Sequence, residues 1–366
     1  MKAIILNSRQ SSRPIGTDPW IQCTRQAANE AASRGYTLLN SVGMNSWEIG
    51  LSLSLELRLP IRLIVPLDKS REPEEIKKYY IEQFDLSRSN IEWLFLESKS
   101  RGDHRQLFPQ ERDRIIINEA DIIYPVSIRP GGNLEELINK ASGTGKKIVT
   151  RFQVPYADKH HPCNSGPNLK QLDPTIDTKL PGFLIHWTRG VTGPWPGERY
   201  IDYYRAITGS NHHYPRNALE TLLRILREQR LRASSRHQRA GIEAVSFSSL
   251  PPTAAAGLMK WRARYSEMTF EPYGLAFDGN FAGTIGIRKV FYGSSEMCRY
   301  LDNNDKPYYQ NIGTIGNWMP EKEYRHIGDI DLTCLPRDRM AFIVRKKEEI
   351  ASVKSLFNGP VLNLEK

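Results

Sequence analysis

Short runs of apolar residues alternate with amphipathic stretches along the first 155 residues. The runs predict strands, and the stretches between them carry apolar positions at helical spacing. Strand–helix alternation of this kind favours an α/β fold with a parallel sheet covered by helices on both faces. The predicted strands are Ala3–Leu6, Thr37–Leu39, Ile61–Val65, Ile91–Leu96, Asp121–Val126 and Lys147–Phe152. The predicted helices are Trp20–Arg34, Trp47–Glu56, Pro73–Phe84, Gln110–Glu119 and Leu134–Ser142.

The pattern changes after a proline-rich stretch, which predicts a linker over residues 156–182. Beyond it, strands follow one another with few helices, which favours an α+β domain over residues 183–366. Its long helix, Asn217–Glu228, has one apolar stripe, and a charged helix, Lys346–Leu356, is predicted near the end. The predicted strands are Phe183–Trp187, Ala244–Leu250, Tyr273–Phe277, Lys289–Tyr292, Glu323–Ile327 and Met340–Val344.

Composition narrows the classes of protein. The chain has 366 residues, enough for two domains, and a formal net charge of +10, which favours an anionic partner such as a nucleotide or nucleic acid. Four widely spaced cysteines indicate neither a disulfide framework nor a zinc finger, and His160-His161-Pro162-Cys163 lacks a second ligand pair. No metal site is therefore expected. No apolar run is long enough to span a bilayer, so we expect a cytoplasmic protein without membrane contact; a homo-oligomer stays open.

Three loops of the first half carry candidate chemistry. Asn7–Ser12, Asn40–Ser46 and Arg129–Asn133 each follow a predicted strand, and the last two lead into helices. Glycines at a helix start allow backbone amides to approach a phosphate, so the loops predict one nucleotide pocket, although each is also compatible with an ordinary turn. The candidate nucleotide-binding residues are Ser8, Arg9, Gly43, Asn45, Gly131, Gly132 and Asn133. Neither G-x-G-x-x-G nor a P-loop motif is present.

These residues resemble a known group. Ser8-Arg9, the run Gly35–Gly43 and Pro130-Gly-Gly-Asn-Leu-Glu-Glu136 are similar to the SLOG superfamily, whose members include DprA, the cytokinin-activating LOG enzymes and nucleotide sensors of bacterial defence. The resemblance covers roughly residues 1–155 and implies a Rossmann-like sheet. LOG enzymes carry a longer P-G-G-x-G-T-x-x-E motif, whereas Asn-Leu-Glu-Glu follows the glycines here, which favours sensing or binding over hydrolysis.

The second half holds a candidate catalytic carboxylate. Glu323 precedes Tyr324-Arg325 on a predicted strand, and earlier strands supply His186 and the hydroxyls of Ser246 and Ser248. A strand carboxylate in an aromatic setting can stabilise a cationic sugar transition state. A structural alternative is equally concrete: a core histidine, an ion pair between Glu323 and Arg325, and serines at a strand edge.

The order of these segments resembles abortive-infection proteins of the AbiGi type and, more distantly, DarT-like ADP-ribosyltransferases. That resemblance covers roughly residues 183–345 and implies a split antiparallel sheet that binds NAD as a substrate. It implies catalytic roles for Glu323, His186 and Ser248, and NAD contacts for Thr188, Ser246 and Tyr273. Glu321 remains a rival for the catalytic carboxylate.

An arginine-rich segment follows the long helix. Residues 216–239 hold seven arginines and two glutamates, an excess of five positive charges. Such a segment is either a solvated helix face or a phosphate-contacting surface. The candidate nucleic-acid contacts are Arg224, Arg227, Arg230, Arg232 and Arg236.

The patterns predict two domains, and the two resemblances together imply a bacterial defence protein. Its first domain senses a nucleotide or nucleic acid, and its second transfers ADP-ribose from NAD or hydrolyses NAD. One alternative is a DprA-like nucleic-acid-binding protein without catalysis. Another places a nucleotide N-glycosidase in the first domain, with Glu48 or Glu135 as the essential carboxylate.

Overall fold

The computed structural model describes residues 1–67, 71–97, 104–157, 166–235, 241–263, 267–294, 296–312 and 319–366. The helices are α1 (Pro19–Ser33), α2 (Asn45–Glu56), α3 (Pro73–Phe84), α4 (His104–Glu119), α5 (Asn133–Ser142), α6 (Thr175–Lys179), α7 (Tyr200–Thr208), α8 (Ala218–Glu228), α9 (Pro252–Ala256), α10 (Gly279–Thr284) and α11 (Ile350–Lys354).

The strands alternate with these helices in the first part of the chain and follow one another more closely later. They are β1 (Lys2–Asn7), β2 (Thr37–Ser41), β3 (Ile61–Leu67), β4 (Ile91–Glu97), β5 (Ile122–Ser127), β6 (Lys147–Ile148), β7 (Leu184–Trp187), β8 (Arg230–Leu231), β9 (Ala244–Ser248), β10 (Trp261–Arg262), β11 (Glu267–Met268), β12 (Gly274–Phe277), β13 (Arg288–Lys289), β14 (Phe291–Gly293), β15 (Tyr309–Asn311), β16 (Glu323–Ile327), β17 (Ile330–Asp331), β18 (Met340–Val344) and β19 (Val361–Asn363).

The chain divides into two compact units that are interleaved along the sequence. The first unit comprises Met1–His161 and Thr192–Pro215, and the second comprises Pro162–Val191 and Arg216–Lys366. Residues 192–215, here called the returning segment, therefore leave the second unit and rejoin the first. The sequence prediction had placed this segment in the second domain, because nothing local reveals which core a tyrosine-rich helix enters.

The first unit is built on a parallel sheet of order β4-β3-β2-β1-β5-β6. Ala3 and Ile5 enter one apolar core, and Ile4 and Leu6 enter another. Because successive side chains of a strand point to opposite faces, both faces of this sheet are covered. The predicted Rossmann-like α/β layer is confirmed, and its strand order reverses between β1 and β5, where ligands of such sheets bind.

The returning segment supplies α7 to the first unit. Ile201, Tyr204 and Ile207 are buried in the core that also holds Ile5. Gly16 lies against the end of α7, where its backbone N–H donates to Ser210 Oγ at 2.9 Å. The apolar positions three apart in α7 carried a helical signal that the preceding prolines and glycines obscured.

The second unit contains a seven-stranded sheet within the described residues, in the order β13-β16-β9-β7-β12-β18-β19. Its pairs are antiparallel up to β18, and the last pair, β18–β19, is parallel. The sheet is therefore mixed, and the α+β character is confirmed. Leu275 and Phe277 face one apolar core and Ala276 the other.

Several predicted elements differ in the structure. β6 ends at Ile148, β9 ends at Ser248, and the predicted strand Lys289–Tyr292 is divided between β13 and β14. Only α11, preceded by the 3-10 turn Lys347–Glu349, forms within the predicted C-terminal helix. The chain after α11 instead adds β19 beside β18, an edge pairing that propensity does not reveal.

Candidate functional site

Glu323 and Ser246 meet on adjacent strands of the second unit. In the register of β16 and β9, Glu323 lies opposite Ser248 and Arg325 opposite Ser246. Ser246 Oγ donates a hydrogen bond of 2.7 Å to Glu323 Oε1. The sheet order β16-β9-β7 thus brings together the three strands to which the ADP-ribosyltransferase resemblance points.

Glu323 is also held by Arg325. The guanidinium donates from Nε to Oε1 at 2.8 Å and from Nη2 to Oε2 at 2.9 Å. The side chain of Glu323 is 11% exposed and that of Arg325 is 5% exposed. The ion pair that was the structural alternative is therefore present, and it coexists with the hydrogen bond from Ser246.

A second carboxylate lies next to the first. Arg262 Nη2 donates to Glu321 Oε1 at 2.8 Å. Burial raises the pKa of Glu321; the charge of Arg262 opposes this shift, and the charge of Glu323 adds to it. The pair of carboxylates with Arg262 and Arg325 can accept a proton at one carboxylate while the other stays ion-paired.

The alternation of side chains along each strand decides which predicted residues lie on the same face of the sheet as Glu323. Phe247 and Tyr324 pack against the core that holds Leu275. Since neighbouring residues of a strand point to opposite faces, Ser246 and Glu323 lie on the other side of the sheet.

His186 lies on the opposite face from Glu323. Its ring centroid is 5.9 Å from that of Phe247, and its Nδ1 is 2.9 Å from the backbone oxygen of Ser246. Burial lowers the pKa of His186 to about 4, the Ser246 backbone opposes the shift, and Arg189 adds to it. His186 is therefore neutral at pH 7 and supports β9 from behind.

The hydroxyls of Thr188 and Ser248 are engaged with the protein. Thr188 Oγ1 donates to the backbone oxygens of Ala218 and Tyr273, both at 3.1 Å. Ser248 Oγ donates to the backbone oxygen of Glu321 at 2.6 Å. Ser248 thereby fixes the chain just before β16, whereas Thr188 fixes the end of β7.

Tyr273 is not brought to Glu323. Its hydroxyl donates to Glu349 Oε1 at 2.8 Å, and its ring packs against the core that holds Phe247. Burial, with the charge of Glu349, raises the pKa of the Tyr273 hydroxyl.

Three residues near the carboxylates escaped the sequence analysis. Arg189, which donates to Glu267 Oε1 at 2.9 Å, and Arg262 both act electrostatically on Glu321. Tyr292 is raised in pKa to about 12, first by burial and then by the charge of Glu323. Arg189 follows the predicted residue Thr188 directly, so its position near the site could have been predicted from the sequence. Arg262 and Tyr292 lie on strands of two and three residues, which are too short to show a hydrophobic pattern.

The arginines predicted to contact nucleic acid lie beside carboxylates. Arg224 and Arg232 donate to the two oxygens of Glu228 at 2.6 and 2.9 Å. Arg227 lies 3.7 Å from Glu220, and Arg230 lies 3.6 Å from Asp329. These partners reduce the positive potential that the run of arginines suggests; Arg236 lies outside the described residues.

The three predicted loops of the first unit contact one another. Ser8 Oγ accepts from the backbone N–H of Arg129 at 2.9 Å, which joins the loops after β1 and β5. Asn45 Nδ2 donates to the backbone oxygen of Ser11 at 2.6 Å, which joins the loops after β1 and β2. The loops thus form one rim at the switch point of the sheet.

The remaining predicted residues lie on this rim. Gly43 and Gly131 have φ angles of 89° and 67°, which favour glycine, and the Gly131 N–H donates to Glu135 Oε2 at 2.7 Å. Arg9 and Asn133 are exposed, and Gly132 is half-buried. Asn133 begins α5.

A buried carboxyl lies behind the same rim. Glu48, in the first turn of α2, accepts from the Gly43 N–H at 3.0 Å and from the Tyr204 hydroxyl of α7. Burial raises the pKa of Glu48, and both hydrogen bonds oppose that shift. In the same first turn of α2, Ser46 Oγ is buried without a hydrogen-bond partner among the described residues.

The described ranges contain neither a candidate metal site nor a helix that could span a membrane. No group of three or more His, Cys, Asp or Glu side chains there is arranged to hold a metal ion. The predicted fragment His160-His161-Pro162-Cys163 lies outside those ranges. None of the helices they contain has the length and apolar character needed to cross a membrane.

Comparison with known proteins yields little. No protein-family model matches this sequence, and no curated protein matches it. One similar solved structure is DNA processing protein A from Helicobacter pylori, which binds single-stranded DNA. The two share 15% identity at a TM-score of 0.30, and the match covers 40% of this chain and 63% of that one.

Proposed function

We propose that the second unit cleaves the bond between nicotinamide and ribose in NAD and transfers ADP-ribose to an acceptor or to water. The observation that carries the proposal is the hydrogen bond of 2.7 Å from Ser246 to Glu323 on adjacent strands. The ADP-ribosyltransferase resemblance implies that these two residues belong to one site, with neighbouring roles. A role in bacterial defence belongs to the same proposal.

NAD is a dinucleotide with a negatively charged diphosphate and a positively charged pyridinium ring. Arg189 and Arg262, near Glu321, offer cationic groups for the diphosphate. Glu323 and Glu321 offer negative charge for the ribose carbon as it becomes cationic. These charges support NAD as the proposed substrate.

In the proposed reaction, the bond between the ribose C1′ and the nicotinamide nitrogen breaks. Its electron pair neutralises the pyridinium, and neutral nicotinamide leaves. An oxygen or nitrogen of the acceptor forms the new bond to C1′. The acceptor's proton passes to Glu321, whose pKa burial raises, and then to solvent.

The test is nicotinamide release by the full chain with and without DNA or RNA, beside Glu323→Gln. The variant should lower the rate by about 100-fold or more while NAD affinity changes by less than about threefold, because the lost charge acts on the transition state. Glu365→Gln is the matched control. Glu365 is buried, accepts from Arg345 at 2.9 Å and follows β19, the strand at the opposite edge of the sheet from β16. This variant should release nicotinamide at the wild-type rate.

Unchanged release by Glu323→Gln would contradict this role for the carboxylate. A wild-type chain that releases no nicotinamide, yet binds DNA or RNA with strong salt dependence, would favour the non-enzymatic alternative.

We also propose that the rim of the first unit binds a nucleoside phosphate. Its support is the hydrogen-bonded convergence of three loops and the buried Ser46 Oγ, which has no partner among the described residues. Ser46 lies in the first turn of α2, where backbone N–H groups and a hydroxyl can donate to phosphate. The N-glycosidase alternative would use Glu48, which lies behind this rim, or Glu135, which accepts a hydrogen bond from Gly131 of the rim.

Calorimetric titration with nucleoside mono- and diphosphates tests this second proposal. Ser46→Ala should weaken binding by about 10- to 150-fold, the worth of one hydrogen bond to a charged group. Ser54→Ala, on the same helix, is the control, because the Ser54 hydroxyl donates to the Gly50 backbone oxygen. Equal affinities of wild type and Ser46→Ala would place the nucleotide elsewhere.

A further inference from the structure

Arg325 uses all of its donor hydrogens inside the protein. Nε and Nη2 bond the two oxygens of Glu323, as described above. Nη2 also donates to Gln310 Oε1 at 2.7 Å. Nη1 donates to the backbone oxygens of Pro307 at 3.1 Å and Tyr309 at 3.5 Å. An arginine has five N–H groups in a rigid plane, and each has a partner here.

This arrangement fixes the plane of the Glu323 carboxylate. The guanidinium is anchored on its far side to the 3-10 turn Lys306–Tyr308 and to β15. Rotation of the carboxylate would therefore break two charge-assisted bonds at once, and the anchored guanidinium cannot follow it. Ser246 holds the same oxygen, Oε1, from the opposite strand.

The two oxygens of Glu323 are consequently not equivalent. Oε1 accepts from Ser246 Oγ and Arg325 Nε, which occupies both of its lone-pair sites. Oε2 accepts from Arg325 Nη2 among the described residues and keeps one site. A hydroxyl of the substrate would meet Oε2.

We propose that Arg325 is a positioning residue, resting on the proposed function, that orients Glu323 so that Oε2 receives a ribose hydroxyl of NAD. Arg325 itself does not touch the substrate, because its donors are occupied. A lysine in its place would supply the charge without the planar fork and would leave the carboxylate free to turn. The inference therefore concerns geometry as distinct from charge.

The experiment measures kcat and KM for nicotinamide release by the full chain and its variants. Arg325→Lys should lower kcat by about 10- to 100-fold while KM for NAD changes by less than about threefold, the pattern of an interaction made in the transition state. The double variant Arg325→Lys/Glu323→Gln should be no slower than Glu323→Gln alone, since residues that act as a unit are not additive.

A matched control separates positioning from structural support. Arg345 donates to Glu365 Oε1 at 2.9 Å and follows β18, four strands from β16 in the same sheet. Arg345→Lys weakens another ion pair of this sheet without touching Glu323; the Glu365 side chain in that pair is 3% exposed and that of Arg345 25% exposed. It should keep the wild-type kcat even where its melting temperature falls as far as that of Arg325→Lys.

Gln310→Met provides a second route if Arg325→Lys fails to fold. It removes one anchor of Arg325 and leaves the ion pair with Glu323, so kcat should fall by a smaller factor, about 3- to 10-fold. An unchanged kcat in Gln310→Met would then overturn the inference.

The outcomes distinguish this inference from the function on which it rests. An inactive Glu323→Gln with a fully active, folded Arg325→Lys would overturn positioning and leave the function standing. A further loss in the double variant, or an equal loss of kcat in Arg345→Lys, would also overturn it. A wild-type chain that releases no nicotinamide would overturn both.

Discussion

At the scale of single residues, burial rather than residue type sets the chemistry of the carboxylates. Glu48, Glu321 and Glu323 are all enclosed by protein, yet their partners differ: a tyrosine and a backbone amide, one arginine, and an arginine with a serine. A buried carboxyl without a cation favours the protonated form, and an ion-paired one favours the charged form. Glu48, which has no cationic partner to offset its burial, is therefore a residue whose ionisation should cost stability, and burial raises the pKa of Glu321 in the same direction.

The pH dependence of stability tests this reading of Glu48. Its native pKa lies above the ordinary value of 4.5, so its contribution is fully present below about pH 4.5 and is lost as pH rises through the native pKa. Glu48→Gln stays neutral at every pH. The unfolding free energy of the wild type, measured by urea denaturation from pH 4.5 to 8, should therefore fall relative to that of Glu48→Gln as pH rises.

Tyr204→Phe gives a second test of the same carboxyl. The Tyr204 hydroxyl lowers the pKa of Glu48 against the effect of burial, so its removal should raise the native pKa and extend the loss of stability to higher pH. Parallel pH curves for wild type and Glu48→Gln would contradict the account.

The residue scale also shows how far the site was predictable. Glu323 and Ser246 meet as expected because the pairing of β16 with β9 places both side chains on the same face of the sheet. His186 and Tyr273 do not join them: His186 shares its face with Phe247, and Tyr273 reaches Glu349. Successive side chains of a strand point to opposite faces of the sheet. A shift of one residue in the pairing register therefore moves every side chain to the other face, and the sequence does not reveal that register.

At the scale of elements, the helices and strands with a strong period were predictable, and the short ones were not. β1, β2 and α3 lie within one or two residues of their predicted bounds, because a strand buried on both faces and an amphipathic helix both have distinct patterns. β10, β13 and β17 have two residues each and carry no period. Such strands form where a neighbour offers an edge, so their cause lies outside their own sequence.

The docking of α7 includes one close backbone approach, at Gly16, which a substitution can test. A Cβ added to Gly16 would lie 2.6 Å from the Ser210 backbone oxygen and 2.7 Å from those of Ile207 and Thr208. Gly16→Ala should therefore displace α7 and destabilise the first unit by about 1–3 kcal/mol, the usual cost of overpacking. Thermal unfolding followed by fluorescence of the buried tyrosines and Trp20 would show the shift.

Gly193→Ala is the matched control for this substitution. Gly193 belongs to the returning segment, which Gly16 contacts, but a Cβ at Gly193 would meet nothing within 4 Å. If Gly16→Ala melted at the same temperature as Gly193→Ala, the contact between Gly16 and the end of α7 would not be needed for docking.

At the scale of the whole molecule, the interleaving of the units is the main departure from the predicted plan. The chain leaves the second unit after Val191 and returns at Arg216, and the Val191 N–H donates to the Arg216 backbone oxygen at 2.9 Å. The exit and the return are thereby closed within the second unit. The segment between them contributes Tyr204 to the hydrogen bonds of Glu48 in the first unit.

The net charge of the chain did not by itself locate a positively charged surface. The chain carries +10, yet Arg224, Arg227, Arg230 and Arg232 each lie beside a carboxylate. Charge counted along a segment ignores carboxylates such as Asp329, which is distant in sequence from Arg230 and near it in space. The position of a positive surface therefore depends on folding.

The sequence by itself determined the α/β character of the first unit, the α+β character of the second and the loops that form the rim, because these depend on local periodicity and on the end of each strand. Tertiary structure alone decided that α7 enters the first unit, that His186 lies behind β9 and that Arg325 holds Glu323. Each of these depends on register and on contacts between residues far apart in the chain, which no local pattern encodes.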